Sequence, residues 1–128
     1  MARFTTVHGL RIVAVPGALD SLVGHLESSV SALRFAPDDL FLIGAVSRPA
    51  CSDSHAIVES EIGFSGAWFT REEFDAMVRP HMEWHMPTDD RLGQGLMAGV
   101  PAKVHVSGST VLVLCPSAFV YELEGRLA

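Results

Sequence analysis

The sequence predicts an α+β protein: a mostly antiparallel sheet with about three helices packed on one side of it. Three features carry that expectation. Strand-length apolar runs alternate with turn residues, three stretches repeat apolar residues three and four apart, and Ser107-Gly108-Ser109 joins two strand-like runs as a hairpin would. The 128 residues are expected to form a single domain, 1–128, large enough to bury a core without disulfide or metal staples.

Arg3 to Val7 and Leu10 to Val15 read as two short strands or one bent strand, ending at Pro16-Gly17. Next, Leu19, Leu22, Val23, Leu26, Val30 and Leu33 fall on one stripe of a helix expected over 18–33. Gly24 and the serines weaken its intrinsic propensity, so it must dock on the sheet to persist. Ala36-Pro37-Asp38-Asp39 is turn chemistry and opens the apolar run Leu40 to Val46, a buried strand. After a loop from Ser47 to Asp53, Ala56 to Ile62 alternates untidily and suits a sheet edge, and Ala67-Trp68-Phe69 continues as β. Thr70-Arg71-Glu72-Glu73 is a capping box that starts a second helix, with Phe74, Met77 and Val78 facing inward. Pro80 disfavours helical geometry at Arg79 and stops or kinks that helix. Met86 to Gln94 reads as a polar connection, and Leu96 to Val106 and Thr110 to Leu114 as the strands of the hairpin. Pro116-Ser117 opens a last helix, with Phe119, Val120, Leu123 and Leu127 inward.

Apolar residues make up 48% of the chain and charged ones only 19%, against about 25% charged in an ordinary soluble domain. That excess of apolar surface is the profile of a subunit covered by its neighbours. No apolar run approaches the roughly 20 residues that cross a bilayer, and the N-terminus lacks a signal-peptide pattern, so a cytoplasmic protein with no membrane partner is expected. Nine Lys and Arg face fifteen Asp and Glu, a net charge of −6 without any basic cluster, which excludes nucleic acid as a natural partner. Cys51 and Cys115 form no Cys-x-x-Cys pairing and read as free thiols in a reducing compartment.

His81 and His85 stand four apart in His-Met-Glu-Trp-His, the spacing that sets two imidazoles on one helix face in zinc sites. A metal centre needs at least a third ligand, and Pro80 interrupts the helix, so the plainer reading is two surface histidines beside Trp84. Asp53-Ser54-His55 are consecutive, and adjacent side chains do not make a triad. Gly63-Phe64-Ser65-Gly66 misses the nucleophile elbow by one position, and Gly93-Gln94-Gly95 with Gly99 misses the dinucleotide fingerprint. Cys115 has no cation within five residues and reads as structural. The pairs Asp38/Asp39, Glu72/Glu73 and Asp89/Asp90 sit at turns or a helix start, where capping and solvation suffice. From the residues alone, the aromatics Trp68, Trp84 and Phe41 divide evenly between core and interface anchor.

Four segments resemble the small gamma subunit of heterotetrameric sarcosine oxidase, a family related to the folate-binding aminomethyltransferase fold. They are Ala32-Leu33-Arg34-Phe35-Ala36-Pro37-Asp38-Asp39-Leu40-Phe41-Leu42-Ile43-Gly44; Glu59 to Thr70 through Gly63; Gly95-Leu96-Met97-Ala98-Gly99-Val100-Pro101-Ala102-Lys103-Val104-His105-Val106; and Thr110 to Leu127. The family usually has Trp where Leu40 stands, Ser-His where Glu61-Ile62 stand and Gly-Pro where Arg71-Glu72 stand. These departures widen the resemblance to related multisubunit amine dehydrogenases and mono-oxygenases.

The resemblance implies an aminomethyltransferase folate-binding-domain-like fold. It also implies a small subunit, with no catalytic residues of its own, of an enzyme that oxidatively demethylates a small N-methyl amine; on that reading Trp84 with His81, His85 and Met86 is the expected partner-contact cluster, and Phe41 is core. Flavin, and with it NAD, iron centres or tetrahydrofolate as one-carbon acceptor, would then belong to the larger partner subunits of a hetero-oligomer. Two other expectations come from the residues and the kinship: a metal-dependent enzyme using His81 and His85, and a stand-alone folate-binding module.

Overall fold

The structure is a computed structural model that describes residues 3–45, 47–88 and 91–128. Nine strands and three α-helices are found among the described residues. In chain order they are β1 (Thr5–Thr6), β2 (Gly9–Val13), α1 (Pro16–Val23), β3 (Ser31–Ala36), β4 (Asp39–Ile43), β5 (Ile57–Glu61), β6 (Phe64–Thr70), α2 (Arg71–Met77), β7 (Leu92–Met97), β8 (Val100–Ser107), β9 (Thr110–Pro116) and α3 (Val120–Leu127). This is an α+β fold, and its sheets are antiparallel throughout. Two sheets form where the residue pattern suggested one. The chain divides into two compact units, Met1–Val7 with Gly63–Ala128 and His8–Ile62, and each has its own sheet.

The first unit is built on a five-stranded sheet of order β1-β6-β9-β8-β7. Period-two alternation sends Val100, Ala102, Val104 and Val106 of β8 to one face, where they meet Val111, Val113 and Cys115 of β9 and Ala67 and Phe69 of β6. Phe74 of α2 and Leu123 and Leu127 of α3 close this core from the same side. The capping box at the head of α2 is complete: Thr70 Oγ1 accepts from the Glu73 amide at 3.1 Å, and Glu73 Oε1 accepts from the Thr70 amide at 2.9 Å. Arg3 adds a tether, its guanidinium lying 4.4 Å from the Phe69 ring centre and donating to Glu73 Oε2 at 2.6 Å.

The second unit is a four-stranded sheet of order β3-β4-β2-β5, with β5 at its edge as its untidy pattern suggested. Leu19 and Leu22 of α1 pack on Ile12, Ala14, Leu40 and Leu42. Arg34 fastens the helix to the β3–β4 turn by donating to Asp20 Oδ1 at 2.9 Å and to the Pro37 carbonyl. Arg11 pairs with Asp39 and with Glu61 at 2.8 Å, and it stacks 4.7 Å from the Phe35 ring centre.

Several expected elements change shape. The helix expected over 18–33 ends at Val23, with Gly24 as its C-cap, and 31–36 is strand. The apolar stripe misled because Leu26 and Val30 still pack against the same core from the connecting loop. The strand expected over 96–106 is two strands, because Ala98 (φ 50°) and Gly99 (φ 80°) turn the chain back between Met97 and Val100. Accordingly β7 begins at Leu92, inside the stretch that read as a polar connection. The last helix starts as a 3₁₀ turn, Ser117–Phe119, which leaves Phe119 partly exposed while Val120, Leu123 and Leu127 turn inward.

Candidate partner-binding surface

The segment after α2 decides what the first unit shows to its surroundings. Pro80 sits inside a 3₁₀ turn, Arg79–His81, and the chain then becomes extended at Met82. Met82 forms a bridge with Met97, and the Ala98 amide donates to the His81 carbonyl at 2.9 Å. Two residues further on, Trp84 lays its indole over β7 and donates from Nε1 to the Leu96 carbonyl at 2.9 Å. The ring fits because β7 has glycine beneath it: a Cβ on Gly93 or Gly95 would lie 2.7 Å from an indole atom. Met77, Met82, Trp84 and Met86 are all half-buried and pack against the core of this unit. They form an apolar margin of polarizable, adaptable side chains with one rigid aromatic.

Of the four residues expected to contact a partner, Trp84 and Met86 therefore belong to one margin. His81 is half-buried at the end of the 3₁₀ turn, and His85 is exposed beyond it. The two imidazoles are not carried on one helix, and among the described residues no three His, Cys, Asp and Glu side chains come together as a metal-holding group. Trp68 is 45% exposed on β6, whereas Phe41 is fully buried and meets Phe35 edge-on at 5.7 Å.

A second apolar feature, which sequence reasoning missed, lies on the face of the five-stranded sheet turned away from its core. The register places Leu96 of β7 against Pro101 of β8, and Phe64 of β6 against Pro116 of β9. These four side chains line a groove of about 410 Å³ together with Gly95, Ala102, Gln94 and Lys103, the Lys103 ammonium donating to Gln94 Oε1. Leu96 is 60% exposed there, and Tyr121 on α3 is 92% exposed. The signal for the groove was available, since Leu96 and Pro101 flank the tight turn at Ala98-Gly99. It could be read only once that turn was known.

The remaining candidate chemistry is structural. Burial, with Glu124 nearby, pushes the Cys115 thiol up to about 11, so it stays protonated and unreactive. Asp53 accepts from the Val15 and His55 amides, each at 2.9 Å, and these bonds hold its carboxyl below the usual range. It ties the loop to the start of α1 and orients no serine. Asp39 pairs with Arg11, Glu72 lies in the first turn of α2, and Asp89 and Asp90 lie outside the described residues. Ser65, buried in β6, shares a hydrogen bond of 2.8 Å with Ser117.

No family model matches the sequence, and no curated protein matches it. Among solved structures, a chain of the heterotetrameric sarcosine oxidase from Corynebacterium sp. U-96, determined in complex with pyrrole 2-carboxylate, has the same fold. The two superpose with a TM-score of 0.72 over 98% of this chain and 80% of that chain, at 14% sequence identity. The fold anticipated from the residues between Ala32 and Leu127 is thus the fold found. No helix among the described residues is long and apolar enough to cross a membrane.

Proposed function

We propose that this chain is a small accessory subunit of a multisubunit enzyme that oxidatively demethylates a small N-methyl amine, sarcosine or a relative. The observation that carries the reading is the fold shared along 98% of the chain with part of a heterotetrameric sarcosine oxidase. Two further features support it. The apolar margin of Met77, Met82, Trp84 and Met86 and the groove around Leu96 suit contact with larger subunits. Asp53, Asp39 and Cys115 are held by backbone hydrogen bonds, an ion pair and burial respectively. On this reading flavin, any NAD or iron centre, and tetrahydrofolate belong to the partners. This chain orders their surfaces and shields a reactive intermediate from water.

Purification of the tagged chain from its native host tests the reading. The expected result is a stoichiometric complex with larger polypeptides, a flavin absorption spectrum and oxidase or dehydrogenase activity on an N-methyl amine that releases formaldehyde. A chain that elutes alone as a monodisperse monomer, without flavin or activity, overturns it.

A further inference from the structure

The second unit has an open cleft of about 340 Å³ beside the C-terminal end of α1, within the size range of small-molecule sites. Its wall is where the core of this unit ends: Leu22 and Leu42 are fully covered, but Leu26 and Val30 are only half-buried and face the opening. Three polar side chains are on the lining: Ser47, whose hydroxyl either donates or accepts, and two that present acceptors. Glu27 offers a carboxylate, which only accepts. His25 holds its Nδ1 2.7 Å from the Ser21 carbonyl. A carbonyl cannot donate, so Nδ1 carries the proton and the neutral ring has Nε2 as its acceptor. No Lys or Arg is among the described residues of the lining. The unit as a whole has three arginines against seven carboxylates, which adds a negative field.

We infer that this cleft binds a small organic cation, a charged nitrogen on a short aliphatic body, with the nitrogen held by Glu27 and His25 and the body against Leu26 and Val30. A carboxylate and an imidazole acceptor with no Lys or Arg beside them on the described lining select a cationic donor, and apolar walls select an alkyl group over a metal ion or a hydrated salt. The site is independent of the subunit reading, since it needs nothing outside this unit.

Amide-resolved NMR titration of the full chain with n-butylammonium chloride tests it. Parallel titrations use sodium chloride at matched ionic strength and the uncharged analogue n-butanol. Saturable shifts are expected in the last turn of α1, in residues 25–30 and at Leu42 to Ala45, with n-butanol binding several-fold more weakly. Glu27→Gln is expected to weaken binding about two- to fivefold, the worth of an exposed ion pair. Ala50→Phe, which narrows the opening, should abolish saturation, and Glu59→Gln on β5, outside the cleft, should change nothing. Shifts that do not saturate, that match those of n-butanol, or that persist unchanged in Glu27→Gln and Ala50→Phe overturn the inference.

Discussion

One methyl group is enough to unseat Trp84. Alanine at Gly95 would place its Cβ 2.7 Å from the indole nitrogen, within a contact that also holds the hydrogen bond to the Leu96 carbonyl. Gly95→Ala is therefore expected to cost about 1–3 kcal/mol, the usual size of an overpacking penalty, measured by urea denaturation. In a Trp84→Ala background the same substitution should cost only a few tenths, and an undiminished cost there would show that the indole is not what the glycine accommodates. Ala98 offers the opposite case, a non-glycine residue at φ 50° in a two-residue turn that Arg126 braces by donating to its carbonyl at 2.7 Å. Asparagine tolerates that conformation better, so Ala98→Asn should raise stability by about 0.5–1 kcal/mol, seen as a higher urea midpoint. Both features were poorly legible from residues alone. Gly93 and Gly95 resembled a broken nucleotide motif, and their partner Trp84 lies nine or more positions away with no local signal linking them.

At the scale of elements, local chemistry predicted best where it closed on itself. The capping box at Thr70 needs only four consecutive residues, and it is found as read. Thr70→Ala should cost about 1 kcal/mol by denaturant unfolding. Glu73, bonded by the Thr70 amide and by Arg3, has its carboxyl held below the usual range. Its folded value being lowered, its contribution is present above the unfolded value of about 4.3 and is lost as pH falls through the folded one. Stability profiles below pH ~4 should consequently be flatter in Glu73→Gln than in the parent, and parallel profiles would count against this. Where elements depend on distant packing, the residues read less well. The stripe from Leu19 to Leu33 kept helical spacing although Gly24 ends the helix, because Leu26 and Val30 reach the core from a loop, while Leu33, opposite Phe41, is buried on the other face of the sheet. Similarly, Ala98-Gly99 looked like the middle of a strand, since only a measured φ distinguishes a turn there from a straight run of small residues.

For the whole molecule, the alternation of strand-length apolar runs with helical stripes announced an α+β protein, and the shared fold agrees. Two sheets rather than one could not be foreseen, because the break between β1 and β2 at Val7-His8 leaves no turn signature beyond a single glycine. The groove around Leu96 gives the assembly reading a direct handle. Leu96→Asp, at a position 60% exposed, should leave the unfolding midpoint of the isolated chain unchanged while sharply reducing co-purification of flavin-bearing subunits. Equal recovery of those subunits with the aspartate variant would remove the groove from the interface. The Trp84 seat has a consequence of another kind. A polypeptide awaiting assembly risks recruiting copies of itself along any bare strand margin, the route by which sheets grow into fibres. By stationing an indole and the Met82 bridge along the outer side of β7, the chain blunts that route.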